Sequence, residues 1–247
     1  GDEKYLIKEG EQTCYMHYNR EPRFYADFAF DKGIYYGNGK VNFDAGEPGS
    51  AGCNWTNWLA INGWAGFHGG CQYSITGYSV KKMASYKNGM TNYNTSAFEY
   101  YPFPVIRLGD LYLLYAEALN EYSGPSDEVY EYIDKIRKRA GLEGVIDSWR
   151  KYSTNPDKPR NQDGLRSIIH NERTVELAFE AKRYWDVRRW KEINTYNEQP
   201  RGWDVMGETN EDFYRVLDIA EKTVVMTLKD YFMPIRESNI LNNKNLI

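Results

Sequence analysis

Glu172, Glu176 and Glu180 recur at every fourth position, which on an α-helix sets three carboxylates along one face. Paired carboxylates whose surroundings separate their pKa values are the machinery of general acid–base hydrolysis, as in glycosidases. The spacing also has a structural reading, and it is the stronger one. Glu172 and Glu176 border an apolar stripe of Ile168, Ile169 and Phe179, and arginines stand at 173, 183, 188 and 189. Partly buried ion pairs tying the third and fourth helices together account for the ladder without chemistry. His17, His68 and His170 are scattered and lack the spacing of a metal site. Phosphate-cradling loops, a G-x-S-x-G elbow and EF-hand spacing are absent from the sequence. The sequence therefore names no catalytic residue, metal ligand or cofactor site, while Asp- and Asn-rich loops leave a calcium site open.

A second cluster is richer. "CNWTNWLAINGWAGFHGGCQYSITGY", residues 53 to 78, holds Trp55, Trp58 and Trp64, three of the seven tryptophans, followed by Phe67, Tyr73 and Tyr78. Asn54, Asn57, Asn62 and Gln72 lie between the rings, and Gly63, Gly66, Gly69 and Gly70 break any regular element. Indole and phenol rings offer an apolar platform with a negative face, amides beside them donate and accept hydrogen bonds, and glycines let backbone approach a ligand. The competing reading is a core. Trp55 and Trp58 are three apart, as are Trp64 and Phe67, so each pair fits one helical face. Tyr35 and Tyr36, in a glycine-flanked turn, are further candidates, and His68 falls inside the aromatic loop. Cys53 and Cys71 bracket that loop. A disulfide there would leave Cys14 over; three unpaired thiols is the plainer reading.

Composition narrows the partners. The chain has 247 residues, 41% hydrophobic and 27% charged, enough for a globular core. Its net charge of -4 argues against nucleic acid, even though "KRYWDVRRWK" at 182 to 191 interleaves tryptophan with arginine. No apolar run approaches membrane-spanning length.

The elements that must position these residues change character near residue 104. Residues 1–103 are rich in Gly, Asn and Tyr and read as an irregular region with short ribbons, "FYADFAF" (24 to 30) as one strand and "YSITGYSVKKM" as a second strand or ribbon. Residues 104–192 read as helices. In the first, Leu108, Leu111, Tyr115 and Tyr122 share a predicted apolar face with Tyr112, Ala118 and Leu119. The second is capped by Ser126 or Asp127, carries Val129, Tyr132, Ile133, Ile136 and Ala140, and ends at Gly141. A polar connector from Gly144 follows, then a helix from about Asp163 that breaks near Ala181, then a shorter one over "RYWDVRRWKEI". Residues 193–247 read as a loop-rich segment with one helical turn after Pro234. The expected class is mainly α, with tetratricopeptide-like helical hairpins forming an α-α superhelix and a large irregular region with short β-ribbons.

Six segments stand in an order that resembles one family. They are "REPRFYADFAFDKG" (20–33), "TGYSVKKM" (76–83), "RLGDLYLLYAEALNE" (107–121), "IRKRAGL" (136–142), "NERTVELAFEAKRYWDVRRWKE" (171–192) and "YFMPIRESNILNNKNL" (231–246). Together they resemble the C-terminal portion of the SusD/RagB family. The resemblance implies a lipid-anchored outer-membrane protein of Bacteroidetes that captures nutrient glycans at the cell surface without catalysis. It also implies a TonB-dependent, SusC-like transporter as partner, and an N-terminal half, with the lipidated cysteine, outside this sequence. On that reading the rings and amides form a glycan platform, with Trp55, Trp58, Trp64, Asn54, Asn57, Gln72, Tyr73, Tyr35 and Tyr36 as candidate contacts. The alternative is a tetratricopeptide-like module that binds peptide or protein.

Overall fold

The computed structural model describes residues 4, 7, 12–35, 55–63, 65–68, 73–85, 87–92, 95–100, 102–219 and 225–243. The helical part begins early. Pro22 at the first helical position opens α1, Pro22–Asp27, and β1, Phe28–Phe30, follows without a break. The single strand predicted over 24 to 30 is thus half helix. Its alternation is only partial, and the proline preset for a helical φ decides the first turn. Next come β2, Ile34–Tyr35, β3, Trp55–Thr56, β4, Tyr78–Val80, β5, Gly89–Asn92, and β6, Thr95–Ala97. β4 is the predicted second strand. It pairs antiparallel with β1, Phe30 opposite Tyr78 and Phe28 opposite Val80, while β2 pairs with β3 and β5 with β6.

The helices follow as α2, Leu108–Ser123, α3, Asp127–Arg139, α4, Val145–Tyr152, α5, Gln162–Glu176, and α6, Arg183–Arg189. The chain then forms β7, Arg201–Trp203, α7, Asn210–Phe213, β8, Val216–Asp218, paired with β7, and α8, Glu237–Asn242. α2 and α3 make a helical hairpin, α5 packs back onto α2, and α4 packs on α3. Among the described residues no helix is long and apolar enough to cross a membrane.

Local chemistry explains the boundaries. Ser126 Oγ accepts from the Val129 amide at the start of α3, a cap contributing about 1 kcal/mol, and Gly141 past its end takes φ +75°. Asn161 caps α5 through the Gly164 amide at 2.7 Å. α5 stops at Glu176, earlier than expected, and Phe179 and Ala181 adopt φ of +65° and +58° in the turn toward α6. α4 lies where a polar connector was expected. Val145, Ile146 and Trp149 pack on the core, and Asp134 of α3 accepts from the Val145 amide at 2.7 Å. Three apolar residues spread over two turns are too sparse to stand out in sequence, but they suffice when a neighbouring helix supplies the cap.

Most of the face predicted to bury α2 is outward, although Tyr112 and Leu119 of that face are half-buried and Leu119 packs on the helical core. Leu108, Leu111, Tyr115 and Tyr122 are all exposed, Tyr122 at 90%, and Ala118 is exposed as well. The buried face is Gly109, Asp110, Leu113, Ala116, Glu117 and Asn120. Two acids turn inward because their partners wait there. Arg173 and Lys182 hold Asp110 at 3.0 and 3.1 Å, and Arg189 and Trp190 hold Glu117.

The glutamate ladder is structural, with partners other than those expected. Arg173 and Arg189 serve Asp110, Asp186 and Glu117, Arg183 donates to Thr174, and Arg188 lies over Tyr184. Glu176, 1% exposed, instead receives Arg23 of α1 at 3.2 Å, Arg107 before α2 at 2.7 Å and Arg139 of α3 at 2.6 Å. Glu172 takes Arg23 at 2.7 Å and Arg137 at 3.2 Å. Glu180, beyond the helix end, takes Arg107 at 2.6 Å and Lys82 at 2.9 Å. Burial works against its charge, but hydrogen bonds from Arg107 and Lys82 hold its carboxyl below the usual range.

Removing one partner from such a cluster leaves buried charge uncompensated. Glu176→Ala is expected to destabilise the chain by ~3–5 kcal/mol, read as a lower urea midpoint. A loss under about 1 kcal/mol would contradict the cluster's role.

Candidate functional site

The aromatic loop begins at a two-stranded ribbon. β2 and β3 pair Ile34 with Thr56 and Tyr35 with Trp55, and the next residue ties back to the β1–β2 turn. The Asn57 amide donates to Gly33 O at 2.8 Å, the Lys32 amide donates to Asn57 O at 2.7 Å, and Asn57 Nδ2 adds a bond to Gly33 O at 3.1 Å. Asp31, 2% exposed, then fixes the following residues. Its Oδ1 accepts from the Leu59 amide at 2.7 Å and the Ala60 amide at 3.2 Å. Leu59 drops into a core of Cys14, Trp203, Phe213 and Tyr214, so Trp58 beside it faces out, 41% exposed. Gly63 and Gly66 fold the loop tightly. A Cβ on either would collide with the carbonyl of Trp58 or Ala60.

A buried polar chain supports Asp31 from behind. Tyr214 donates to Asp31 Oδ2 at 3.3 Å and contacts Thr13 Oγ1 at 2.8 Å. Thr13 Oγ1 lies 2.6 Å from His17 Nδ1, and His17 Nε2 lies 2.8 Å from the Tyr78 hydroxyl. Phe30, Tyr78, Trp203 and Tyr214 surround the His17 ring. Burial, with a smaller push from Arg20, lowers the His17 pKa to about 4. Burial raises Cys14, a free thiol, to about 11.

Trp58 lines a cleft of about 190 Å³ with Lys32, Asn62, Glu208, Thr209 and Asn210. Lys32 Nζ sits 4.1 Å from the indole centroid. Thr209 is spent on capping α7, exchanging bonds with Asp212. Asn62, Asn210 and Glu208 keep their side-chain polar atoms free of bonds to described residues. The arrangement suits a neutral or charged ring molecule that stacks on indole and bonds at its rim.

Of the predicted contacts among the described residues, Trp58 alone is placed in the lining of this cleft. Asn57 braces the turn, Tyr35 is half-buried in β2, and Tyr73 is 40% exposed with its ring edge-on to Phe67 at 4.9 Å. The backbone of Trp55 forms β3. Trp64, Asn54, Gln72 and Tyr36, like Cys53 and Cys71, lie outside the described residues. Sequence reading missed Lys32 and residues 208–210. Lys32 stood in a turn motif, and 208–210 lie about 150 residues from Trp58 with no shared pattern.

Fold and site together define a class: a mainly α, tetratricopeptide-like scaffold carrying an irregular region with short ribbons and a ring-lined cleft. The comparisons with known proteins name it more closely. The sequence profile of the SusD family matches residues 1–247. SusD-like protein P2 of Formosa agariphila is 32% identical over 156 residues, 63% of this chain and 26% of that protein. SusD-like protein P25 of the same organism is 38% identical over 89 residues, 35% of this chain and 15% of that protein. Among solved structures, BT4246 superposes with a TM-score of 0.78 at 24% identity, covering 98% of this chain and 38% of its own. A SusD-like protein (BF3747) from Bacteroides fragilis gives 0.64 at 23% identity, covering 94% of this chain and 39% of its own. The chain belongs to the SusD family, and it spans about a quarter of the length of the first of these relatives.

The polar chain carries a pH dependence. The folded pKa of His17 lies below its unfolded value of 6.5, so its contribution is complete above pH 6.5. It is lost as pH falls toward about 4, by ~3 kcal/mol across the window. Urea midpoints measured from pH 4 to pH 8 are expected to fall more steeply for the natural protein than for His17→Asn; parallel curves would contradict this.

Proposed function

We propose that this chain belongs to a non-catalytic, cell-surface binding protein that captures oligosaccharides and delivers them to a TonB-dependent outer-membrane transporter, held at the membrane by a lipid anchor. Family membership supports the general role. One observation carries the site: the exposed Trp58 ring at the edge of a cleft whose Asn62, Asn210 and Glu208 side chains are free to meet hydroxyls. The apolar C–H face of a pyranose suits an indole, and its hydroxyl rim suits amides. A fixed loop on a rigid support reduces the ordering cost of binding. The lack of catalysis is supported by the glutamate ladder, whose carboxylates are held by arginines or lysine.

A second reading, a peptide- or protein-binding helical module, is favoured by the outward face of α2. Leu108 at 63% and Leu111 at 48% exposure form apolar surface of the kind that marks contact sites.

Calorimetric titration with a panel of oligosaccharides and short peptides separates the two. Saturable binding of one glycan class, weakened about tenfold or more (~1.4 kcal/mol) by Trp58→Ala with unchanged thermal unfolding, is the expected result. Glycan binding indifferent to Trp58→Ala would remove the site. Peptide binding lost in Leu108→Asp with Leu111→Asp would favour the second reading.

A further inference from the structure

Resting on the glycan reading of the Trp58 cleft, we propose that its ligand is an acidic glycan, bearing a carboxylate or a sulfate ester on the sugar that stacks there, and that Lys32 reads that charge.

The inference starts from how Lys32 is held. It occupies the β1–β2 turn at φ +62°, and its amide is bonded to Asn57 O, so its Cα is fixed relative to the loop that carries Trp58. The side chain is half-buried and its ammonium rests over the indole. The other half-buried or buried lysines among the described residues each reach an oxygen acceptor, and Lys158, also set over an indole, that of Trp149, donates to Ser167 Oγ at 3.1 Å. Lys82 reaches Glu180 and Asp27, Lys182 reaches Asp110, and Lys81 reaches two backbone carbonyls. Among the described residues, no carboxylate lies within ion-pair distance of Lys32, although Glu208 lines the same cleft.

An ammonium carries three donors, and a ring face is a weak substitute for an oxygen acceptor. The charge is thus positioned, partly stripped of water and, among the described residues, without a counter-charge, in the lining of the cleft. A neutral hydroxyl would satisfy one donor. An anionic oxygen makes a charge-assisted bond roughly twice as strong. A pyranose lying against the free part of the indole would bring an exocyclic carboxylate or sulfate to the height of the ammonium. Glu208, which lines the same cleft, repels an anion and accepts from hydroxyls, which favours one orientation: acidic substituent toward Lys32, hydroxyl edge toward Glu208 and Asn210. Cation and ring then act as one unit, the ring selecting a flat sugar and the lysine its charge.

The test is a calorimetric titration with three oligosaccharides of matched length, one neutral, one uronate-bearing and one O-sulfated, at low and high salt. The expected result is a preference of ~tenfold or more for an acidic ligand at low salt, narrowing as salt rises. The uronate and sulfate arms show which anion is the source. Lys32→Met is expected to collapse the acidic-to-neutral ratio to about one, and Lys32→Arg to keep it. Thermal unfolding of both variants serves as the check on folding. Neutral and acidic ligands binding alike, or a preference that survives Lys32→Met, would overturn the proposal while leaving glycan binding in place. Binding of none of the three would overturn both. An acidic preference that Lys32→Met removes and Lys32→Arg restores supports it.

Discussion

The architecture hangs on one buried carboxylate. Glu176 sits at the end of α5 in the grip of guanidinium groups from α1, from the residue before α2 and from α3. Among the described residues the helical part and the irregular part have separate apolar cores, and the two parts meet where the Phe28 and Phe179 rings touch. Ala116, Val129, Ile133, Val145, Leu165 and Ile169 fill the helical core, while Cys14, Leu59, Trp203, Phe213 and Tyr214 fill a separate one. Charge bridges them. Arg23 and Asp27 on α1, with Lys82 after β4, bring the irregular part to the Glu172–Glu180 carboxylates. Directional contacts of this kind set an orientation that apolar packing leaves loose, at the cost of desolvating several charges.

That orientation runs on to the cleft. α1 leads directly into β1, β1 into Asp31 and Lys32, and Asp31 into the amides on either side of the Leu59 plug. Trp58 is outside because Leu59 is inside. The question posed by a loop so full of rings therefore has a divided answer. The ring-rich core beneath it comes from Trp203, Phe213 and Tyr214, far along the chain, and this leaves Trp58 available to solvent.

Elements with caps and a clean apolar period were legible in sequence. α3 carries both a serine cap and Val129, Ile133, Ile136 in step, and α5 carries the stripe of Ile168 and Ile169 on its buried face. α2 was legible as a helix but not in its facing. Leu108, Leu111, Tyr115 and Tyr122 form the expected apolar face, whereas Asp110 and Glu117 are drawn in by cations on α5, α6 and the turn between them. No local pattern encodes such partners. The ion-pair reading of the glutamates was right in kind, and its partners were wrong because Arg23, Arg107, Arg137 and Arg139 approach from distant segments. Trp58 was legible by type. Lys32, Asp31 and the 208–210 wall were not, since each acquires its meaning only where separate turns meet.

The two-sidedness of α2 reaches beyond the fold. Its seat depends on Asp110, Leu113, Ala116, Glu117 and Asn120, all facing in, so Leu108, Leu111 and Tyr122 can be exchanged at little thermodynamic cost to the helix itself. Selection for foldability is blind to those three side chains. Natural variation there would record what the helix touches and nothing about how it stands. One helix thus keeps two independent histories, an inner face tied to the scaffold and an outer face open to revision.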